Sequence, residues 1–168
     1  MQWILDEPSS AAVLYDVKQA KGDKKALQKL IDEVIGNVVN EHYFSYLFDK
    51  QGNKVKYSAK PQNYGMKTSG AQVLYYFDFM LSKPQLLQDN EFTLSTYDPT
   101  YYVSMYYDKP FHSAVDFSQL PENCHGEVLE PNINEKLKAY ASSLDQSQRN
   151  EDDTLGAQFA QKVRLICR

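Results

Sequence analysis

The stretch Phe92–Tyr107, reading FTLSTYDPTYYVSMYY, constrains this chain more than any other. Both sides of Asp98-Pro99 are built from Phe, Leu, Thr, Val and Tyr, residues that suit a pleated, half-buried surface. Phe92, Leu94 and Thr96 point one way and Thr93, Ser95 and Tyr97 the other. Beyond the proline, Tyr101, Val103, Met105 and Tyr107 oppose Tyr102, Ser104 and Tyr106. Pro99 lacks the N–H that a central ladder needs, so it interrupts the run. The pattern predicts two strands joined through a corner at Tyr97–Thr100. The tyrosines bury apolar area there while keeping hydroxyls near water or partners.

At 168 residues, with 42% hydrophobic and 13% aromatic content, the chain is predicted to form a single folded domain over residues 1–168. Eighteen Lys and Arg against 22 Asp and Glu leave a formal charge of −4, which provides no basic face for nucleic acid. No apolar run reaches the ~18 residues that would span a membrane as a helix.

Along the chain, Gln2–Leu5 reads as the tail of a strand. Glu7-Pro8-Ser9 ends it, and Ser9 or Ser10 is placed to cap a short apolar helix through Ala11–Tyr15. Asp23 caps the next helix. There Leu27, Leu30, Ile31, Val34, Ile35, Val38 and Val39 recur at three- and four-residue spacing from Lys24 to about Glu41. Tyr43–Phe48 is strand-like and runs into the hairpin signal Asp49–Asn53, with Lys54–Lys60 returning. Pro61–Gly70, with Pro, two Gly and many polar residues, reads as loop. Ala71–Leu81 reads as a long strand in the middle of a sheet, and Asp108–Asn123 has no period. Gly126–Glu130 is a short strand, and Asn132 or Asn134 caps a helix near Glu135–Leu144. Asp145–Asp153 reads as a flexible linker. Thr154 caps a last turn or two, and Val163, Leu165 and Cys167 alternate in a closing strand. The sum is an α+β fold, an antiparallel β-sheet packed against one long amphipathic helix plus shorter helices.

STYDPTYYVSMYY resembles the (S/R)VYDPTYYV signature of a bacterial family of unknown function, usually described as the periplasmic component of an uncharacterised ABC-type transport system. The likeness extends to WILDEPSSAAVLYD, HYFSYLFDKQGNKV and GAQFAQKVRLIC, and so covers nearly the whole chain. It picks out Trp3, Asp6, Glu7, Tyr97, Asp98, Pro99, Thr100, Tyr101 and Tyr102. It also implies an export signal and a first strand upstream of Trp3, and therefore a periplasmic location. Cys124 and Cys167 match the family's cysteines, so the resemblance implies a disulfide between them; in a cytosolic protein two such distant cysteines would be free buried thiols. Many relatives carry an acidic, calcium-loop-like segment before the long helix. This chain keeps only Asp16 and Asp23 there among four lysines, too few oxygens for Ca²⁺.

The residues that carry chemistry allow two readings each. Asp6 and Glu7 are an adjacent carboxylate pair, suited to metal ligation or acid–base work, or more simply to the dipole of the following helix. Asp98 is a candidate metal ligand, or an acceptor for backbone N–H groups in its own turn. The tyrosines around it form a sugar-stacking platform or ordinary cross-strand packing. His42, His112 and His125 share no ligand spacing, and His42 suits the C-terminal end of the long helix. His125 adds a ligand only if Cys124 is free. Nucleophile elbows and phosphate loops are absent.

These observations predict a non-enzymatic periplasmic accessory or binding protein of a transition-metal transport system, zinc or nickel/cobalt, as the resemblance implies. Its partner would be a membrane permease, with no tightly bound cofactor and only transient contact with Zn or Ni/Co. The alternative is a structural or protein-interaction module without metal binding.

Overall fold

The structure, a computed structural model, describes residues 1–100, 102–143 and 155–168. It is α+β, with antiparallel sheets and helices, and the chain divides into two compact units. The first comprises Met1–Tyr43 and Lys56–Lys83, the second Phe44–Val55 and Pro84–Arg168. The described residues form two sheets rather than one.

In the first unit, β1 (Gln2–Ile4), β4 (Gln62–Ser69) and β5 (Gln72–Asp78) form a three-stranded antiparallel sheet in the order β1-β5-β4. The central position expected for the Ala71–Leu81 segment is therefore that of β5. Val73, Tyr75 and Phe77 alternate to one side of it and are buried. The apolar stripe lies on α2 (Lys24–Asn40), where Ile31, Ile35 and Val38 form a core cluster with Tyr43 and Phe77. Burying each such side chain is worth about 1.5–3 kcal/mol. Asp23 caps this helix, accepting from the amides of Lys25 at 2.8 Å and Ala26 at 3.4 Å.

Three expectations for this unit need correction. The short helix through Ala11–Tyr15 is α1 (Glu7–Gln19), 13 residues long, so α2 is not the unit's one substantial helix. Its cap is Asp6, not Ser9 or Ser10, and Pro8 falls in the first turn, where a missing N–H is harmless. Ser10 instead ties α1 to the sheet: its hydroxyl donates to the Leu5 carbonyl at 3.2 Å and accepts from the Val73 amide at 3.1 Å. Pro61–Gly70 is also largely strand. β4 lies at the sheet edge, where little apolar surface is needed, and the Tyr76 ring lies over Gly65 so closely that a Cβ there would require it to move. Separately, the strand expected from Tyr43 starts only at Ser45, because α2 ends in a left-handed turn with His42, Tyr43 and Phe44 all at positive φ. Such a run disfavours L-residues by roughly 1–2 kcal/mol each. Inside this unit Tyr43 compensates by burial, stacking on Phe79 at 4.9 Å and donating to the Ser58 carbonyl.

The second unit is built on a five-stranded antiparallel sheet, ordered β3-β2-β6-β8-β7. Its strands are β2 (Ser45–Phe48), β3 (Lys54–Val55), β6 (Glu91–Thr96), β7 (Cys124–Leu129) and β8 (Lys162–Cys167). Asp49 closes the β2–β3 hairpin, accepting from the amides of Gln51 and Asn53. Helices α3 (Phe111–Ala114), α4 (Glu135–Ser143) and α5 (Leu155–Phe159) complete it. Asn134 caps α4 through the Leu137 amide at 2.8 Å. The linker expected at Asp145–Asp153 and the cap at Thr154 lie outside the described residues.

The second half of the Tyr-rich stretch is not a strand: β6 ends at Thr96, and residues 102–107 are irregular. Their amides bond elsewhere, to the Asp98 carboxylate and, from Tyr107, to the Gln161 side chain. Alternating tyrosines signal a strand only while the backbone is free to join a ladder.

Candidate functional site

The corner expected at Tyr97–Thr100 is present and is organised by Asp98, a residue only 7% exposed. Its Oδ1 accepts from the Thr100 amide at 2.8 Å and the Thr100 hydroxyl at 2.7 Å. Its Oδ2 accepts from the amides of Tyr102 at 3.2 Å and Val103 at 3.0 Å. One carboxylate thus receives four donors, and the chain wraps around it. Bonds to an ionised acceptor are the stronger kind, worth roughly 1.5–3 kcal/mol each.

The tyrosines divide by role. Tyr97 stacks on Tyr46 with centroids 4.5 Å apart, and burial pushes its phenol pKa up. Tyr107 is held by its amide on Gln161 and by a 3.1 Å bond between its hydroxyl and that of Thr96; burial raises its pKa as well. Tyr102 and Tyr106 turn outward, 79% and 72% exposed, with Val103 beside them at 46%. Tyr101 lies outside the described residues.

Trp3, Asp6 and Glu7 belong to the first unit, and Tyr97, Asp98, Pro99, Thr100 and Tyr102 to the second. Trp3 meets Phe77 edge-on at 5.0 Å. Asp6 accepts from the Ser9 amide at 2.8 Å, and the Ser9 hydroxyl and amide hold its carboxyl below the usual range. Glu7 is exposed at the head of α1. Among the histidines, His42 sits in the left-handed turn with its ring 5.1 Å from that of Tyr57, His112 in α3 and His125 in β7. Among the described residues, no three His, Cys, Asp or Glu side chains gather where they could hold a metal ion.

Cys124 and Cys167 are bonded, facing each other across β7 and β8 with Cα atoms 4.0 Å apart. This ties the edge strand of the sheet to its neighbour. Two residues that matter here lie in the quoted GAQFAQKVRLIC segment but were given no role there. Gln161 accepts from the Tyr107 amide and donates to Glu130 at 2.9 Å. Gly156 lies under the corner, where a side chain would meet the Asp98 carbonyl. Its signals in the sequence were its place at the head of GAQFAQKVRLIC and a glycine near the start of a short helix.

The chain matches the family described as "Protein of unknown function (DUF1007)" over residues 1–167. It belongs to that family. A DUF1007-like relative from Haemophilus influenzae (strain Rd), described as an uncharacterized protein, is 60% identical over 167 residues, covering 99% of this chain and 80% of the relative. No solved structure matches. Among the described residues, no helix is long and apolar enough to cross a membrane. For this DUF1007 member the Asp98 corner, with its outward tyrosines, is the feature with most chemical definition.

Proposed function

We propose that this protein is a non-enzymatic accessory of a transition-metal transport system, working in the periplasm by docking on the membrane permease through the Tyr102–Tyr106 loop. The transport assignment, zinc or nickel/cobalt, comes from the family resemblance of the YDPTYY segment, and the disulfide agrees with an oxidising compartment.

The observation that carries the docking role is the contrast at Tyr102: its amide is fixed on Asp98 while the residue as a whole is 79% exposed. An aromatic ring presented on an ordered backbone binds with little loss of conformational freedom, and tyrosine is enriched at the centres of interfaces. In this reading Asp6 and Asp98 act as acceptors for their own loops, and the metal is cargo that touches the protein only transiently.

The test is metal uptake in a strain lacking the gene, grown under chelation. Uptake should fall in the deletion strain and return with the wild-type chain. A Tyr102→Ser, Tyr106→Ser double variant should keep its melting temperature and fail to restore it. Normal uptake in the deletion strain overturns the transport role; full restoration by the double variant overturns docking through this loop.

A further inference from the structure

One face of the second unit's sheet carries polar groups that the fold does not use. Thr93 and Ser95 on β6, with Tyr97 just beyond its end, line a groove of ≈ 370 Å³, within the ~300–1,000 Å³ range of small-molecule clefts. Their strand neighbours on this face are Phe48 on β2 and Lys162 on β8. Ser95 as a residue is 4% exposed, its hydroxyl opens on the groove, and among the described residues no hydrogen bond engages the hydroxyls of Thr93, Ser95 or Tyr97. These hydroxyls are therefore open to a partner from solution.

Charge gives the groove its preference. Its two carboxylates are engaged: Asp49 closes its hairpin, and Glu91 faces Arg164 at 3.9 Å. Its ammonium groups are not. Lys162 has no ion-pair partner among the described residues, and Lys50 reaches only the Asp89 carbonyl at 3.4 Å. Hydroxyls that both donate and accept match those of a polyol, and ammonium groups match a carboxylate. The Phe48 and Tyr97 rings supply apolar surface for C–H groups, with Tyr97 braced against Tyr46.

We propose that this groove binds a small polyhydroxylated carboxylate of the sugar-acid class, held by Lys162 and Lys50 at the carboxylate and by Thr93, Ser95 and Tyr97 at the hydroxyls. The inference does not rest on the transport reading. The experiment is calorimetric titration of the whole chain with D-glucuronate, D-glucose, acetate and inorganic phosphate. Glucuronate should bind at least about tenfold tighter than each of the others. Lys162→Gln should bring its affinity down to that of glucose. Ser95→Ala should weaken glucuronate binding while leaving the melting temperature unchanged or higher, because the hydroxyl it removes is unbonded in the free protein. Absence of glucuronate binding, a preference for phosphate, or a Ser95→Ala variant that melts earlier but binds normally would each overturn the assignment.

Discussion

Gly156, in α5, packs directly against the backbone carbonyl oxygen of Asp98, with the Tyr97 ring beside it. A methyl group at this position overlaps an atom of the main chain, and no rotamer change relieves it. Gly156→Ala should therefore lower stability by about 1–3 kcal/mol, the usual effect of overpacking. Urea denaturation measures this directly; a midpoint within error of wild type would show that helix and corner are not in contact.

Asp98 should be the more damaging position. Asp98→Ala strands three buried or half-buried amides and a hydroxyl, and a loss of about 3 kcal/mol or more follows. Asp98→Asn keeps one carbonyl-type oxygen and should recover part of that loss. Thermal melts of both variants check the order, and equal melts would mean that charge and the second oxygen contribute nothing.

Removing the disulfide should act mainly on the unfolded chain. The bond joins residues 43 apart. Closing a loop of that length is worth about 4 kcal/mol in the chain-entropy account. A Cys124→Ser, Cys167→Ser double variant should show a lower denaturation midpoint and lose the response to dithiothreitol seen in wild type. Identical midpoints with and without reductant in the wild-type chain would contradict this.

Asp6 makes α1 sensitive to acid. Hydrogen bonding to Ser9 depresses its folded pKa below the unfolded value of about 3.9. A depressed carboxyl favours the folded state above the unfolded pKa, and that contribution is lost as pH falls through the folded pKa. The Ser9 amide resonance should therefore shift with a midpoint below about pH 4. Asp6→Asn should abolish the shift, whereas a wild-type midpoint above pH 4 would break the assignment of Asp6 as the cap.

What the sequence made legible was periodicity with one dominant cause. The Leu27–Val39 stripe specified α2 because only one face of that helix meets the core. The Asp98 corner was readable because Asp before Pro has few other roles. Tyr102–Tyr107 misled because alternation reports which side chains could share a face, not whether the amides are free, and here a side chain five residues upstream holds the amide of Val103. β4 was hidden for the opposite reason: its covering ring comes from Tyr76, on a different strand. The groove left a trace in the Thr93, Ser95, Tyr97 alternation. Its other walls, however, come from residues such as Phe48 and Lys162, which lie far from β6 in the chain.

The Asp98 carboxylate also sets a clock. Amide hydrogens in irregular surface segments ordinarily exchange with deuterated solvent quickly, and slow exchange marks helices and ladders. Here Thr100, Tyr102 and Val103 have their amides on a side chain that is itself almost wholly enclosed. Their deuteration should lag behind that of neighbouring loop amides and keep pace with β6. A segment irregular by its dihedral angles then counts as core by its exchange rate, and its protection would vanish as a block when one carboxylate is removed.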